Sequence, residues 1–273
     1  MDKEFNEVRE AAYAGDLPGF KSLLNEKPYL LRQVSQDKKD SPNLIQFIIV
    51  EGGLGKIPQA KDFLQFLIDQ GSSTEKQLVA AASVNARELV DVLIASGISL
   101  DDGAPWTAIE ESLYWGHRAM ADHLINFHGA EVQTLCGAAM LGDLIKLASF
   151  FNDDQQLEAS VLPISNPWGV IQGSTEEDAL SQAFLMALSF KEYAAASYLL
   201  ERGVKINSRV VAYHVDCTPL NQAVYMNDCE MVDWLIDRGA KNPQNGEGAD
   251  IFAMAKHHGF IELEEHLKRR LSS

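Results

Sequence analysis

The sequence predicts an all-α fold: an α-solenoid of about eight stacked helix–turn–helix repeats. Three observations carry that expectation. First, one stretch is a complete helix–turn–helix unit by local chemistry alone: Thr218-Pro-Leu-Asn-Gln-Ala-Val-Tyr-Met-Asn-Asp-Cys-Glu-Met-Val-Asp-Trp-Leu-Ile-Asp-Arg-Gly-Ala240. Thr218 suits an N-cap, Pro219 the first helical position and Gly239 the C′ position, with a short turn at Asn227-Asp228 between two apolar stripes. Second, the same pattern recurs in register along the chain. Third, 46% of the 273 residues are apolar and 23% charged, an ordinary folded composition that can bury a large core.

The units follow in order. The first, around Ala11, Ala12, Gly15, Asp16, Leu23 and Leu24, lacks the Thr-Pro start, as a polar N-terminal cap of residues 1–36 should. The second starts at Ser41-Pro42, ends at Gly71 and has a long inter-helix turn, Glu51-Gly-Gly-Leu-Gly-Lys-Ile-Pro58. The third has Leu78-Val-Ala-Ala-Ala as its first helix, then Leu89, Val90, Leu93 and Ile94 before Gly97. The fourth runs from Trp106-Thr-Ala-Ile through Gly116-His117 to Gly129-Ala130, and the fifth from Thr134 through Gly142-Asp143 to Leu144, Leu147 and Phe150. Repeats two to five thus occupy 41–151. Residues 152–178 fall outside the period, an irregular insertion with an apolar middle (Pro163, Pro167, Trp168, Gly169) between acidic flanks. Repeats six and seven fill 179–242, with Ala183–Leu188, Tyr198, Leu199, Leu200 and Gly203 in the sixth and a shorter insertion, 204–217, holding Tyr213 and His214. A C-terminal cap, 248–273, closes one domain spanning 1–273 and ends on Lys268-Arg-Arg.

Thr218-Pro-Leu-Asn-x-Ala resembles the ankyrin pattern Thr-Pro-Leu-His-x-Ala, with Asn221 in place of the His. Arg238-Gly-Ala and Arg202-Gly-Val-Lys-Ile-Asn207 look like the ankyrin repeat end, and the Gly-Asp turns at Gly15 and Gly142 fit as well. The chain is similar to divergent ankyrin-repeat proteins of bacteria. That resemblance implies protein binding without catalysis.

Charge narrows the partners. Lys plus Arg total 23 and Asp plus Glu 39, so the net charge is −16. This excludes a nucleic-acid backbone binder, which needs a basic face, and a polybasic membrane anchor. It favours a protein partner with a basic surface. One version is an acidic antagonist of a basic effector or toxin. No apolar run approaches the ~18 residues of a membrane span. The N-terminal residues lack an apolar signal-peptide core, and three cysteines (Cys136, Cys217, Cys229), an odd count without a Cys-x-x-Cys pair, fit small buried thiols in a reducing compartment. The expectation is a cytoplasmic monomer.

Motifs for chemistry are missing. Gly52-Gly-Leu-Gly-Lys56 lacks the first glycine of a phosphate loop, where Val50 stands, and its metal-ligating hydroxyl, where Ile57 stands. A turn accounts for its glycines. The seven histidines, 117, 123, 128, 214, 257, 258 and 266, show no His-Glu-x-x-His spacing. His117, His123 and His128 share a repeat, but spacings of six and five do not align three imidazoles on a helical face. No nucleophile elbow exists, and Glu110-Glu111 reads as part of a solvated acidic face. The sequence therefore predicts no catalytic residue, no metal and no cofactor.

Binding residues are read from a column. The last two residues of each first helix, before the inter-helix turn, point toward the concave side of such a stack. They are Tyr13-Ala14, Ser83-Val84, Tyr114-Trp115, Met140-Leu141, Ser189-Phe190, Tyr225-Met226 and His257-His258. A core position would repeat as Ala or Leu, whereas this column is rich in aromatics and Met, which favour interfaces. The candidates are Tyr114, Trp115, Phe190, Tyr225 and Met226, joined by Trp106 before the fourth repeat and Trp168 in the insertion. The same insertion could instead serve as a lid over a small-ligand or enzymatic pocket. Interior positions are assigned to Leu78, Ala81, Ile109, Leu135, Ala138, Phe184, Leu220, Ala223, Phe252 and Ala255 in first helices, and to Leu93, Leu124, Leu199, Met231, Val232 and Leu235 in second helices.

Overall fold

The computed structural model describes residues 2–32, 43–210, 217–243 and 249–271. The Ser41-Pro42 start, Tyr213 and His214 lie outside them. The chain divides into two compact units, Met1–Gln133 and Thr134–Ser273. In the first unit the helices are α1 (Asp2–Tyr13), α2 (Leu17–Glu26), α3 (Leu44–Gly53), α4 (Ala60–Asp69), α5 (Gln77–Ser83), α6 (Arg87–Ala95), α7 (Ala108–Tyr114) and α8 (Arg118–His128). They pack as consecutive pairs, and first helices also stack on first helices, α3 on α5 and α5 on α7. In the second unit, α9 (Leu135–Leu141) pairs with α10 (Leu144–Ala148), α11 (Glu176–Ser189) with α12 (Tyr193–Glu201), α13 (Pro219–Tyr225) with α14 (Cys229–Ile236), and α15 (Ile251–His257) with α16 (Ile261–Leu271). There the first helices stack in series, α9, α11, α13, α15. The fold is an all-α repeat fold.

The long α3–α4 turn puts two residues, Gly55 and Gln59, in the left-handed region; in each of the other seven pairs the turn puts one there, namely Gly15, Asn85, Gly116, Gly142, Lys191, Asn227 and Gly259. Gly and Asn tolerate that conformation; Lys191 adopts it at a cost. Each of these seven residues directly follows the aligned pairs of the binding column, so the turn register read from sequence is the register of the fold. Thr218 caps α13, its side chain accepting from Asn221 N while Pro219 opens the helix. Gly239 has φ 93°, and the Ala240 N–H reaches back to Leu235 O at 3.0 Å, closing the C-terminal turn.

The insertion is ordered and shorter than expected. Thr175 caps α11 reciprocally with Asp178, so Glu176, Glu177 and Asp178 form the first helical turn, where their charge complements the helix dipole. Upstream, β1 (Ser165–Asn166) and β2 (Gly169–Val170) form a two-stranded hairpin anchored by buried Ile164 and Ser165.

The assigned interior positions are buried, with one exception: Phe252 is only half-buried. The expectation for Gly52 is corrected too. Gly52 and Gly53 lie within the last turn of α3, not in a loop, and they are close-approach glycines. A Cβ on Gly52 would fall 2.4 Å from the Ala60 Cβ, and one on Gly53 2.4 Å from Val84 Cγ2. Of the run's glycines, only Gly55 takes the left-handed turn, and Lys56 pairs with Glu51 at 2.9 Å. The three cysteines are not in disulfides; Cys136 and Cys217 are buried, and burial pushes the Cys217 thiol up to about 11.

Candidate partner-binding surface

Within the first unit, the fourth repeat gathers three of the candidate aromatics. Tyr114 ends α7 with Trp106 on one side (ring centroids 6.0 Å apart) and Trp115 on the other (5.4 Å), both edge-to-face. Beneath them the Glu111 carboxylate accepts from the Trp106 indole N–H at 2.6 Å and the Trp115 indole N–H at 2.8 Å. Trp106 is 4% exposed and belongs to the interior, Tyr114 is half-buried, and Trp115 is 51% exposed. One side chain is thus presented outward on a support of two that are not.

The support depends on a reading that the structure corrects. Glu110 and Glu111 are not on a solvated face: they are 0% and 7% exposed. Glu110 Oε2 accepts from the Thr107 N–H at 3.1 Å and from the Thr107 hydroxyl, and Oε1 accepts from the Gln133 N–H at 2.9 Å. A buried carboxylate is tolerable when donors satisfy it in this way. Local spacing held a signal for it, since Thr107 and Glu110 form the reciprocal capping pattern of a helix start.

Within the second unit, Tyr225 is 59% exposed and Met226 is exposed beside it. Tyr225 packs edge-to-face on His258 of the next repeat at 5.8 Å, and His258 stacks on Phe260 at 5.3 Å. His258 and Phe260 extend this surface; the column contained His258, but Phe260 lies beyond the turn and was not aligned. Phe190 ends α11 half-buried. Leu141, at the same position in the fifth repeat, is half-buried too, and Met140 before it is buried. Trp168 stands at the tip of the β1–β2 hairpin, 54% exposed, its N–H held by the Asn166 side chain at 2.9 Å. A shallow cavity of about 260 Å³ borders the start of α11, lined by Glu176, Glu177, Leu180, Ser181 and Arg202 among others; no residue of 152–175 lines it.

Among the described residues, one set of side chains converges as metal ligands do: Asp91, His123 and His128. Residue spacing along a single helix does not reveal this set. Asp91 comes from the preceding repeat, where no pattern within the fourth could reveal it. No described helix is long and apolar enough to cross a membrane.

Residues 215–243 match the ankyrin repeat family. They cover the stretch that opens with Thr218-Pro-Leu-Asn, so the resemblance drawn from those residues holds, and the chain carries an ankyrin repeat there. A stretch of 73 residues is 36% identical to part of glycerophosphocholine phosphodiesterase gde1 of Schizosaccharomyces pombe. The match takes in 26% of this chain and 6% of that protein, so the chain spans only a small part of the relative.

Proposed function

We propose that this ankyrin-repeat chain is a non-catalytic protein-binding module that engages its partner through the ends of its first helices. One observation carries the reading: large side chains that interfaces favour are held outward on a rigid base. Trp115 is half-exposed while its indole N–H is fixed by a buried carboxylate, and Tyr225 is half-exposed while its ring packs on His258. An aromatic held this way loses little side-chain entropy on binding, which is how anchor residues gain affinity. Ankyrin repeats mediate protein–protein interaction, and the acidic chain favours a partner with a basic surface. Trp168 on its hairpin is a further contact.

The test is affinity capture from source lysate by the wild type and by two surface variants, Trp115→Ala and Tyr225→Ala/Met226→Ala, with folding verified by circular dichroism. A protein retained by the wild type and lost by either variant supports the reading and locates the face. A protein retained equally by all three removes these residues from the interface. Turnover of a metabolite by the purified chain would overturn the non-catalytic reading.

A further inference from the structure

The three convergent side chains lie within the first unit and on the backs of two adjacent repeats. His123 Nε2 is 2.6 Å from Asp91 Oδ1, His128 Nε2 is 2.8 Å from the same oxygen, and the two Nε2 atoms are 3.2 Å apart. His123 is buried; His128 is half-buried, and the Asp91 side chain retains 45% exposure, so the cluster opens to solvent on one side. From these distances we infer that Asp91, His123 and His128 form a binding site for a first-row transition-metal dication, with zinc as its expected occupant.

The chemistry of the donor set fits. Two imidazoles are borderline donors and the carboxylate is a hard one, a mixed N/O set that zinc accepts. Tetrahedral ligands at ~2.0–2.1 Å from zinc stand roughly 3.3 Å apart. The pair of nitrogens is already close to that separation, and the carboxylate oxygen needs to retreat by about 0.5 Å from His128 and about 0.7 Å from His123. The fourth position faces solvent and would take water.

A comparison inside the chain separates this cluster from an ordinary inter-repeat clamp. Asp91 is the fifth residue of α6 and His123 the sixth of α8. Asp233 is the fifth residue of α14 and His266 the sixth of α16, and they too make an Asp–His contact, at 2.8 Å. The Asp–His pair is therefore a repeated packing device. What distinguishes the first copy is the residue five positions later: His128 in α8, against Leu271 in α16. In the second copy Arg270 lies against the aspartate instead.

One neighbour must give way. The Arg87 guanidinium is 2.7 Å from His123 Nδ1. Arginine stays protonated, so it donates, which leaves the neutral ring's proton on Nε2, facing Asp91. Metal binding moves that proton to Nδ1 and frees the Nε2 lone pair, and Arg87 must then leave the nitrogen. It can: it is the exposed first residue of α6, and its guanidinium already lies 5.8 Å from the Phe127 ring, which can keep it.

The experiment is calorimetric titration of the tag-free full chain with zinc chloride alone at about pH 7.5, with cobalt(II) absorption to read coordination. The expected result is one zinc per chain and a tetrahedral cobalt spectrum. His128→Gln and Asp91→Asn should each weaken binding at least about tenfold, while His266→Gln leaves it unchanged. His128→Gln sits at a helix end, so its metal-free melting temperature should stay near wild type while the zinc-induced rise disappears. No saturable uptake overturns the proposal. So does binding that survives His128→Gln, such as binding lost only on changing the exposed pair His257 and His258.

Discussion

At the scale of single residues, two positions that break the family's local pattern are the most informative. Asn221 stands where ankyrin repeats carry a histidine. It is buried, its Oδ1 accepts from the Thr218 N–H at 3.2 Å and hydroxyl at 3.1 Å, and its amide N–H donates to Ala249 O at 2.7 Å. Glu110 occupies the same place after Thr107, but its outer oxygen accepts from the Gln133 N–H rather than donating to a carbonyl. Both residues tie a helix start to the loop of the next repeat, with the bond direction reversed. Asn221→Ala should therefore cost about 1–3 kcal/mol, because it strands a buried carbonyl and an N–H; urea unfolding measures it, and a neutral result would show that water replaces the amide. Its neighbour Leu220 makes a pure packing comparison: Leu220→Ala should cost ~2–5 kcal/mol, and a loss within ~0.5 kcal/mol would sink its interior register. Asp228 adds a charge test. Burial works against its ionised form, but the Lys191 ammonium at 2.7 Å and the N–H groups of α14 outweigh it and hold its carboxyl below the usual range. A depressed carboxylate stabilises the fold above its unfolded pKa, and that contribution fades as pH falls through the folded value. Asp228→Asn keeps a good N-cap but removes the charge, so it should cost about 0.5–1 kcal/mol at neutral pH. The deficit should shrink as pH drops below about 4. A deficit that holds constant with pH would assign the cost to the cap instead.

At the scale of elements, helix starts and turns were legible because their rules are local. Thr218-Pro219, Thr134 and the turn glycines each act through the nearest few residues, so the pairs and their register follow from spacing. Contacts between repeats obey no such rule. The bond from Gln133 to buried Glu110, the Asp91–His123–His128 cluster and the close approach of Gly53 to Val84 all depend on a neighbour some tens of residues away, and Gly52 depends on Ala60 of the paired helix. A glycine-rich run is the clearest case: Gly52-Gly53 and a turn glycine look alike in sequence, yet Gly52 is helical and its missing Cβ is space filled by Ala60. This makes Gly52→Ala a discriminating substitution. In a loop or an open helix surface, alanine would be neutral or gain up to ~1 kcal/mol from helix propensity. Here the clash is with a rigid Cβ rather than a flexible tip, so α3 and α4 must separate, at a cost of about 1–3 kcal/mol. Thermal unfolding decides it, and a raised melting temperature would return Gly52 to the turn reading. The same separation of local from inter-repeat information explains the binding column: its register was readable, whereas the division into buried Trp106, supporting Tyr114 and outward Trp115 was not.

At the scale of the whole molecule, the governing quantity is the excess of acid over base, a net −16. Close ion pairs such as Lys56–Glu51 and Lys205–Glu177 are surface pairs, each contributing at most about 1 kcal/mol and weakened by salt. The unpaired carboxylates repel one another over longer distances, and a Debye length that shrinks to about 10 Å at 0.1 M relieves that repulsion. Relief touches every excess charge, while loss touches only the paired ones, so the melting temperature should rise as sodium chloride goes from about 10 mM to about 500 mM. Chloride is the right probe, since sulfate would also strengthen apolar burial by exclusion. Binding to a basic partner should respond in the opposite sense, because the same screening removes the steering that brings the two surfaces together. One salt series thus has two expected slopes, stability upward and association downward. A melting temperature that falls would mean that local ion pairs outweigh the net charge. Association that ignores salt would assign the interface to the aromatic anchors alone and remove the basic surface from the partner's description.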